Sequence, residues 1–229
     1  MVFGALLLLG AGVLVFLNQR ENREAASAAA QVVPQLVSQI QSLTAEEQQT
    51  NPETATGQQD SPDPETGETS AAVPPQTEIE VIPDLQKPVE LLTEEDKKME
   101  EVEVDGNLYI GYISIPALNL ELPVMSSWSL DLLKIAPCRY NGSIRGEDLV
   151  IMAHNYTSHF GSLSRLAVGD SVSFTDVKGK VTRYEVVGKD VLDPSAVEVI
   201  TSGEYDLTLF TCTYGGASRV TVYCDMVKN

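Results

Sequence analysis

The second half of this chain is cut into seven short apolar segments, at 108–115, 120–125, 149–153, 171–175, 180–192, 205–212 and 219–226. Each has strand length and is enriched in Val, Ile, Leu and aromatic residues. Turn chemistry falls between them, in Asn141-Gly142, Gly169-Asp170 and Lys178-Gly179, and such spacing predicts strands rather than helices. Short helical turns fit at 130–135, 160–166 and 194–197. Many strands with few helices specify a closed or nearly closed barrel rather than a doubly wound sheet. The roughly 124 residues of 106–229 suffice for one such core.

The first half has another character. Residues 2–17 are all apolar or Gly and are followed by Asn18, Gln19 and Arg20. A spanning helix takes about 20 apolar residues, with about 17 near the lower limit, so residues 1–18 predict a transmembrane or signal anchor of minimal length. A cleaved signal-peptide core is the alternative. No Lys or Arg precedes the run, while Arg20 and Arg23 follow it, and a strict positive-inside reading would put the remainder in the cytoplasm. A start that has lost a basic leader gives the same pattern. Residues 19–105 read as an acidic Pro/Glu/Thr-rich linker, with helix expected at 25–43 and a cap for another short helix in Thr93-Glu94-Glu95-Asp96. Residues 52–75 carry too little apolar surface to fold and predict disorder.

Charge follows the same division. Residues 18–105 hold 20 Asp plus Glu against 5 Lys plus Arg, net −15, and residues 106–229 hold 13 against 10, net −3, together the −18 of the chain. The acidity therefore belongs to the linker, as a self-repelling spacer or for solubility alone. No basic patch stands out in the domain, which argues against a nucleic-acid partner.

The chemistry gathers near the C-terminus. Residues 206–223 read as a hairpin closed by Gly215-Gly216, with Cys212 ending its first strand and Arg219 opening its second. Antiparallel pairing brings the two together. A thiolate is the reactive form of cysteine, and a nearby guanidinium both favours it and donates hydrogen bonds to an oxyanion. A base is still needed, and the chain has only His154 and His159. His154 follows the apolar run 149–153, where a buried strand emerges into a loop. His159 is read as an ordinary solvated or hydrogen-bonded imidazole.

These residues resemble the sortases, cysteine transpeptidases of Gram-positive cell surfaces. Thr208-Leu209-Phe210-Thr211-Cys212 is similar to the family's Thr-Leu-x-Thr-Cys strand, Ala153-His154-Asn155 to its strand-then-His element, and Arg219 to the arginine after a short loop. The resemblance covers about 106–229. It implies a mainly β, eight-stranded sortase barrel with short helices, preceded by the membrane helix and the disordered linker. It implies Cys212 as nucleophile, His154 as acid and base, Arg219 as stabiliser of the tetrahedral intermediate, and Thr211 as a helper in the oxyanion site. The expected reaction cleaves a Leu-Pro-x-Thr-Gly-like sorting signal through a thioacyl intermediate and passes the protein to a peptidoglycan amine. Surface proteins with a C-terminal sorting signal are then the partners, and the catalytic domain lies outside a single-pass membrane anchor.

The remaining features refine this expectation. Cys138 and Cys224 permit a disulfide in an extracellular domain, but two buried thiols is the simpler reading. The scattered Cys and His give no metal spacing, so no cofactor and no obligatory metal are expected, although the resemblance leaves room for a loop-bound calcium. An NlpC/P60 peptidase would carry its Cys before its His, and an L,D-transpeptidase a Ser-x-Gly-Cys loop; neither order is present. A pilin-polymerising sortase and a non-catalytic wall-binding barrel are the alternatives. The sole Trp, Trp128, lies inside the domain and not in an N-terminal lid, and 192–205 is too short for a long inserted helix. A compact class A, D or E type follows. Trp128 reads as a core or rim aromatic, with a place in the peptide groove as the second reading.

Overall fold

A computed structural model describes residues 2–50 and 98–228, without the side chains of 2–9, 14, 18 and 46–50. The expected disorder at 52–75 and the cap at 93–96 lie outside the described residues. Among the described residues, nine strands form one sheet: β1 (Val102–Val104), β2 (Asn107–Ile115), β3 (Leu120–Met125), β4 (Cys138–Asn141), β5 (Leu149–Ala153), β6 (Ser171–Asp176), β7 (Val181–Leu192), β8 (Leu207–Cys212) and β9 (Arg219–Met226). Their order is β1-β2-β3-β4-β5-β8-β9-β7-β6, and β6 returns to β2 with Ile113 opposite Phe174. Strands β2 to β9 therefore close an eight-stranded barrel, to which β1 adds an outer ninth strand. Closure removes the open edges that a sheet of this size would otherwise expose.

All seven expected strands are present, three with the expected bounds. The two that were not foreseen are the shortest. β1 has three residues, and β4 has four that alternate poorly and pair with β3 through Met125 and Cys138 alone. Short helical turns occur at Leu132–Lys134 and Leu163–Arg165, and the expected turn at 194–197 forms slightly later as α2 (Val197–Ile200).

Alternation along the strands sorts the core. Leu149, Ile151 and Ala153 of β5, Leu207 and Leu209 of β8, and Val222 and Cys224 of β9 fill the barrel with Ile113, Phe174 and Tyr184. Their neighbours Val150, Phe210 and partly buried Met152 face outward under Ile200 of α2. The period of two thus gives β5 and β8 an apolar residue on both faces, which accounts for their nearly continuous apolar sequence.

The helix expected at 25–43 is part of a longer one, α1 (Val2–Thr50), which packs on the outside of the barrel. Ala25, Ala29, Val32, Val33, Leu36 and Ile40 form its buried stripe, at a spacing of three and four residues. Val32, Leu36 and Ile40 meet Val104, Tyr109, Met125, Leu133, Ala136 and Cys138. Burying each of the larger aliphatic side chains contributes roughly 1.5–3 kcal/mol, so tertiary packing holds this part of the helix against the barrel. No helix among the described residues is long and apolar enough to cross a membrane. The run 2–17 forms the N-terminal part of α1, where Val13, Val15, Phe16 and Leu17 are exposed.

Candidate active site

β5 and β8 run parallel and in register, with Ala153 opposite Thr211. Cys212 is the last residue of β8, and His154 is the first residue past the end of β5. Across the other edge of β8, Cys212 lies directly opposite Arg219 of antiparallel β9. Neighbouring strands lie about 4.8 Å apart and directly opposed side chains share a face. The neighbouring ends of three strands thus carry an imidazole, a thiol and a guanidinium. This row lies one residue beyond the paired Ala153, Thr211 and Val220.

Each member is held locally. The hairpin mouth is a tight turn over Tyr214–Gly216 with left-handed backbone at Gly215 and Gly216 (φ 79° and 75°), and the Thr213 N–H donates to the Ser218 carbonyl at 2.9 Å. Only glycine adopts that conformation without strain. The Arg219 guanidinium donates to the carbonyls of Gly216 and Ser218, both at 3.1 Å, and adds to the hydrogen bonds from Ser195 that hold the Asp193 carboxyl low. Cys212 is partly exposed, as a nucleophile has to be. Thr211 is buried, and its hydroxyl donates to the Ala153 carbonyl at 2.8 Å. That hydrogen bond ties β5 to β8 at the strand ends.

His154 opens a loop wound back on itself. The Phe160 N–H donates to the His154 carbonyl at 3.2 Å, and the N–H groups of His159 and Gly161 donate to the Tyr156 carbonyl at 2.9 Å. A side chain at Gly161 would run into the carbonyls of Asn155 and Tyr156, so the winding requires glycine there. The Tyr156 ring lies 4.9 Å from that of His154 and 5.5 Å from that of His159. Burial lowers the pKa of His154; Glu21 of α1 works against this, and Lys134 adds to it.

His159 departs from the expectation of a solvated or hydrogen-bonded ring. It is fully buried, and neither ring nitrogen makes a hydrogen bond of good geometry, although the Ile135 backbone is near enough to favour the charged ring. Burial pushes its pKa down to about 4, helped by His154 and weakly opposed by the Ile135 backbone. Its cause is the winding of the loop, which the local sequence does not signal. Cys138 and Cys224 are free buried thiols in separate clusters, one beneath α1 and the other inside the barrel. Burial raises both to about 12.

An aromatic run borders the row. Trp128 is 47% exposed and lies 5.6 Å from Tyr140, which meets the ring of Phe210 edge-on at 5.2 Å. Phe210 is two residues before Cys212 on the same outer face. Trp128 is therefore a surface aromatic beside the site rather than a core one. A separate cavity of about 700 Å³, lined by Lys98, Arg145, Glu147, Lys180, Arg183 and Met226 among others, lies at the end of β9 away from Arg219. Among the described residues, no three His, Cys, Asp or Glu side chains gather as a metal site.

Residues 113–227 match the sortase domain family. The chain is 30% identical over 121 residues to sortase A of Bacillus anthracis, covering 50% of this chain and 57% of that relative. Among solved structures, it is similar to sortase A of Corynebacterium diphtheriae, at 24% identity and a TM-score of 0.49, over 54% of this chain and 62% of that one. It is also similar to sortase C of Streptococcus pneumoniae, at 26% identity and a TM-score of 0.49, over 62% and 81%. The match to the family spans half of the chain, with the row of His154, Cys212 and Arg219 inside it, and the chain belongs to the sortase family.

Proposed function

We propose that this chain is a membrane-anchored cysteine transpeptidase in which Cys212, His154 and Arg219 carry the chemistry. The observation that supports the reading is that Cys212 of β8 lies opposite Arg219 of β9, with His154 following the neighbouring end of β5. The Cys212 thiolate attacks the carbonyl of the Thr-Gly bond in a Leu-Pro-x-Thr-Gly-like sorting signal, and the oxyanion forms within reach of Arg219. His154 gives its proton to the leaving glycine amine as the C–N bond breaks and the thioester remains. A peptidoglycan amine then enters, His154 takes its proton, a new amide bond forms, and the Cys212 thiolate departs. Phe210, Met152 and Trp128 supply an apolar floor for the Leu-Pro part of the signal. Thr211 acts through strand register.

The exposed Val13, Val15, Phe16 and Leu17 of α1 support an anchor in the bilayer, and membership of a cell-surface family supports an extracellular domain. Leu17 and Asn22 are five residues apart, about 7.5 Å along a helix, so the catalytic row would work close to the membrane surface, where anchored substrates are. The alternative of a pilin-polymerising sortase differs in substrate and not in this chemistry.

Kinetics of peptide-to-amine transfer by the wild type, Cys212→Ala and His154→Ala test the proposal. The chemistry needs a thiolate and an imidazolium at the same time, so kcat/KM follows a bell. Because burial lowers the pKa of His154, its acid limb is expected below 6.5. Loss of activity in both variants and a bell are expected. A profile flat from about pH 6 to 9, or an active Cys212→Ala, contradicts the proposal.

A further inference from the structure

We propose that α1 is a strap for the catalytic loop: Glu21 and Asn22 are positioning residues that hold the segment carrying His154. The inference rests on His154 being the acid and base. It assigns a working part to a helix lying entirely before residue 113, where the family match begins.

The contacts are specific and concentrated in one turn of α1. Asn22 Oδ1 accepts from the Ser158 N–H at 3.1 Å and from the Ser158 hydroxyl at 2.8 Å, and the Asn22 carbonyl lies 3.2 Å from that hydroxyl. The Tyr156 hydroxyl donates to Glu21 Oε2 at 3.3 Å. Tyr156 is the ring between His154 and His159. Fixing Tyr156 and Ser158 therefore fixes the plane against which the His154 imidazole packs. The helix is itself anchored one turn later by Ala25 and Ala29, and further on by the fully buried Leu36. The strap thus has a rigid base on β1 and β3 and delivers two polar side chains to the loop. A misplacement of about 1 Å at a catalytic group can cost on the order of 100-fold in rate.

Charge gives the strap a readout that a merely structural contact lacks. His154 is faced by Glu21 from α1, by Lys134 from the turn after β3, by Tyr156 and His159 of its own loop, and by Cys212 of the next strand. Glu21 favours the imidazolium, and Lys134 opposes it.

Two measurements on the full chain test the proposal. The chain has two histidines, so their imidazole carbon-bound protons are followed separately by NMR through a pH titration of the wild type and Glu21→Gln. The His154 midpoint is expected to move to lower pH in the variant while that of His159 stays. An unmoved His154 midpoint overturns the proposal. In steady-state transfer from a Leu-Pro-x-Thr-Gly peptide to triglycine, Asn22→Ala is expected to lower kcat roughly tenfold, with KM within about twofold. Asn22→Asp retains the Oδ1 acceptor and is expected to restore most of the rate. An unchanged kcat in Asn22→Ala, or a lowered kcat that Asn22→Asp fails to rescue, overturns it. A wild type inactive on every peptide refutes the acyl-transfer reading instead, and the imidazole titration still decides whether the strap acts on His154.

Discussion

Replacing Thr211 by Val separates two roles that a threonine beside a nucleophile can play. Its hydroxyl is buried and donates to the Ala153 carbonyl at 2.8 Å, across the pair that sets β5 against β8. Valine keeps the shape and removes the donor. A net hydrogen bond contributes about 1 kcal/mol, and an acceptor left unfilled costs about 1–3 kcal/mol. A loss near 1–2 kcal/mol follows, which for a domain of this size lowers Tm by roughly 3–8 °C. Thermal unfolding by circular dichroism reads that shift, and transfer kinetics read the chemistry below the transition. If Thr211 acts through register, kcat falls only a few-fold and Thr211→Ser restores both quantities. An oxyanion donor would behave otherwise, because removing one typically costs 10²–10³ in kcat. A 100-fold loss of kcat in Thr211→Val at unchanged Tm would refute the argument.

Three further outcomes are expected. Iodoacetamide at pH 7.5 should add one carbamidomethyl group to the folded protein, on Cys212, since Cys138 and Cys224 are buried with thiols raised to about 12; two or more additions, read by intact mass, would contradict this. His159 is depressed to about 4 in the fold against about 6.5 unfolded, so the unfolded chain binds the extra proton between these values. Stability from keeping it neutral, up to about 3 kcal/mol, is complete above pH 6.5 and lost as pH falls toward 4; urea unfolding of His159→Phe should show a shallower acid slope. Leu36→Ala empties a fully buried position beneath α1 and should destabilise by about 2–5 kcal/mol, read by urea unfolding, and should also raise hydrogen exchange at the Ser158 amide.

The barrel was legible because its long strands have Val, Ile, Leu or aromatic residues on both faces and glycine turns between them. β1 and β4 were not, since three or four residues give period two no length to declare itself. The His154, Cys212 and Arg219 row was readable from strand ends and the Gly215-Gly216 turn, because register follows once those strands are adjacent. The docked part of α1 carries its stripe openly at Ala25, Ala29, Val32, Leu36 and Ile40, yet two of those are alanines among Gln and Ser. Its burial depends on a surface built more than 50 residues later by β1 and β3. For the same reason, Glu21 and Asn22 gave no signal, since Tyr156 and Ser158 lie 135 and 136 residues away. His159 was read as a solvated or hydrogen-bonded ring, because burial by a rewound loop has no local pattern.

The most direct test of the central claim is intact and peptide mass spectrometry of the protein after incubation with a Leu-Pro-x-Thr-Gly peptide library, with and without triglycine. The account predicts a thioacyl adduct on Cys212, absent in Cys212→Ala, that the amine resolves into a ligated peptide. A folded protein with an alkylatable Cys212 that forms no adduct with any peptide would contradict it.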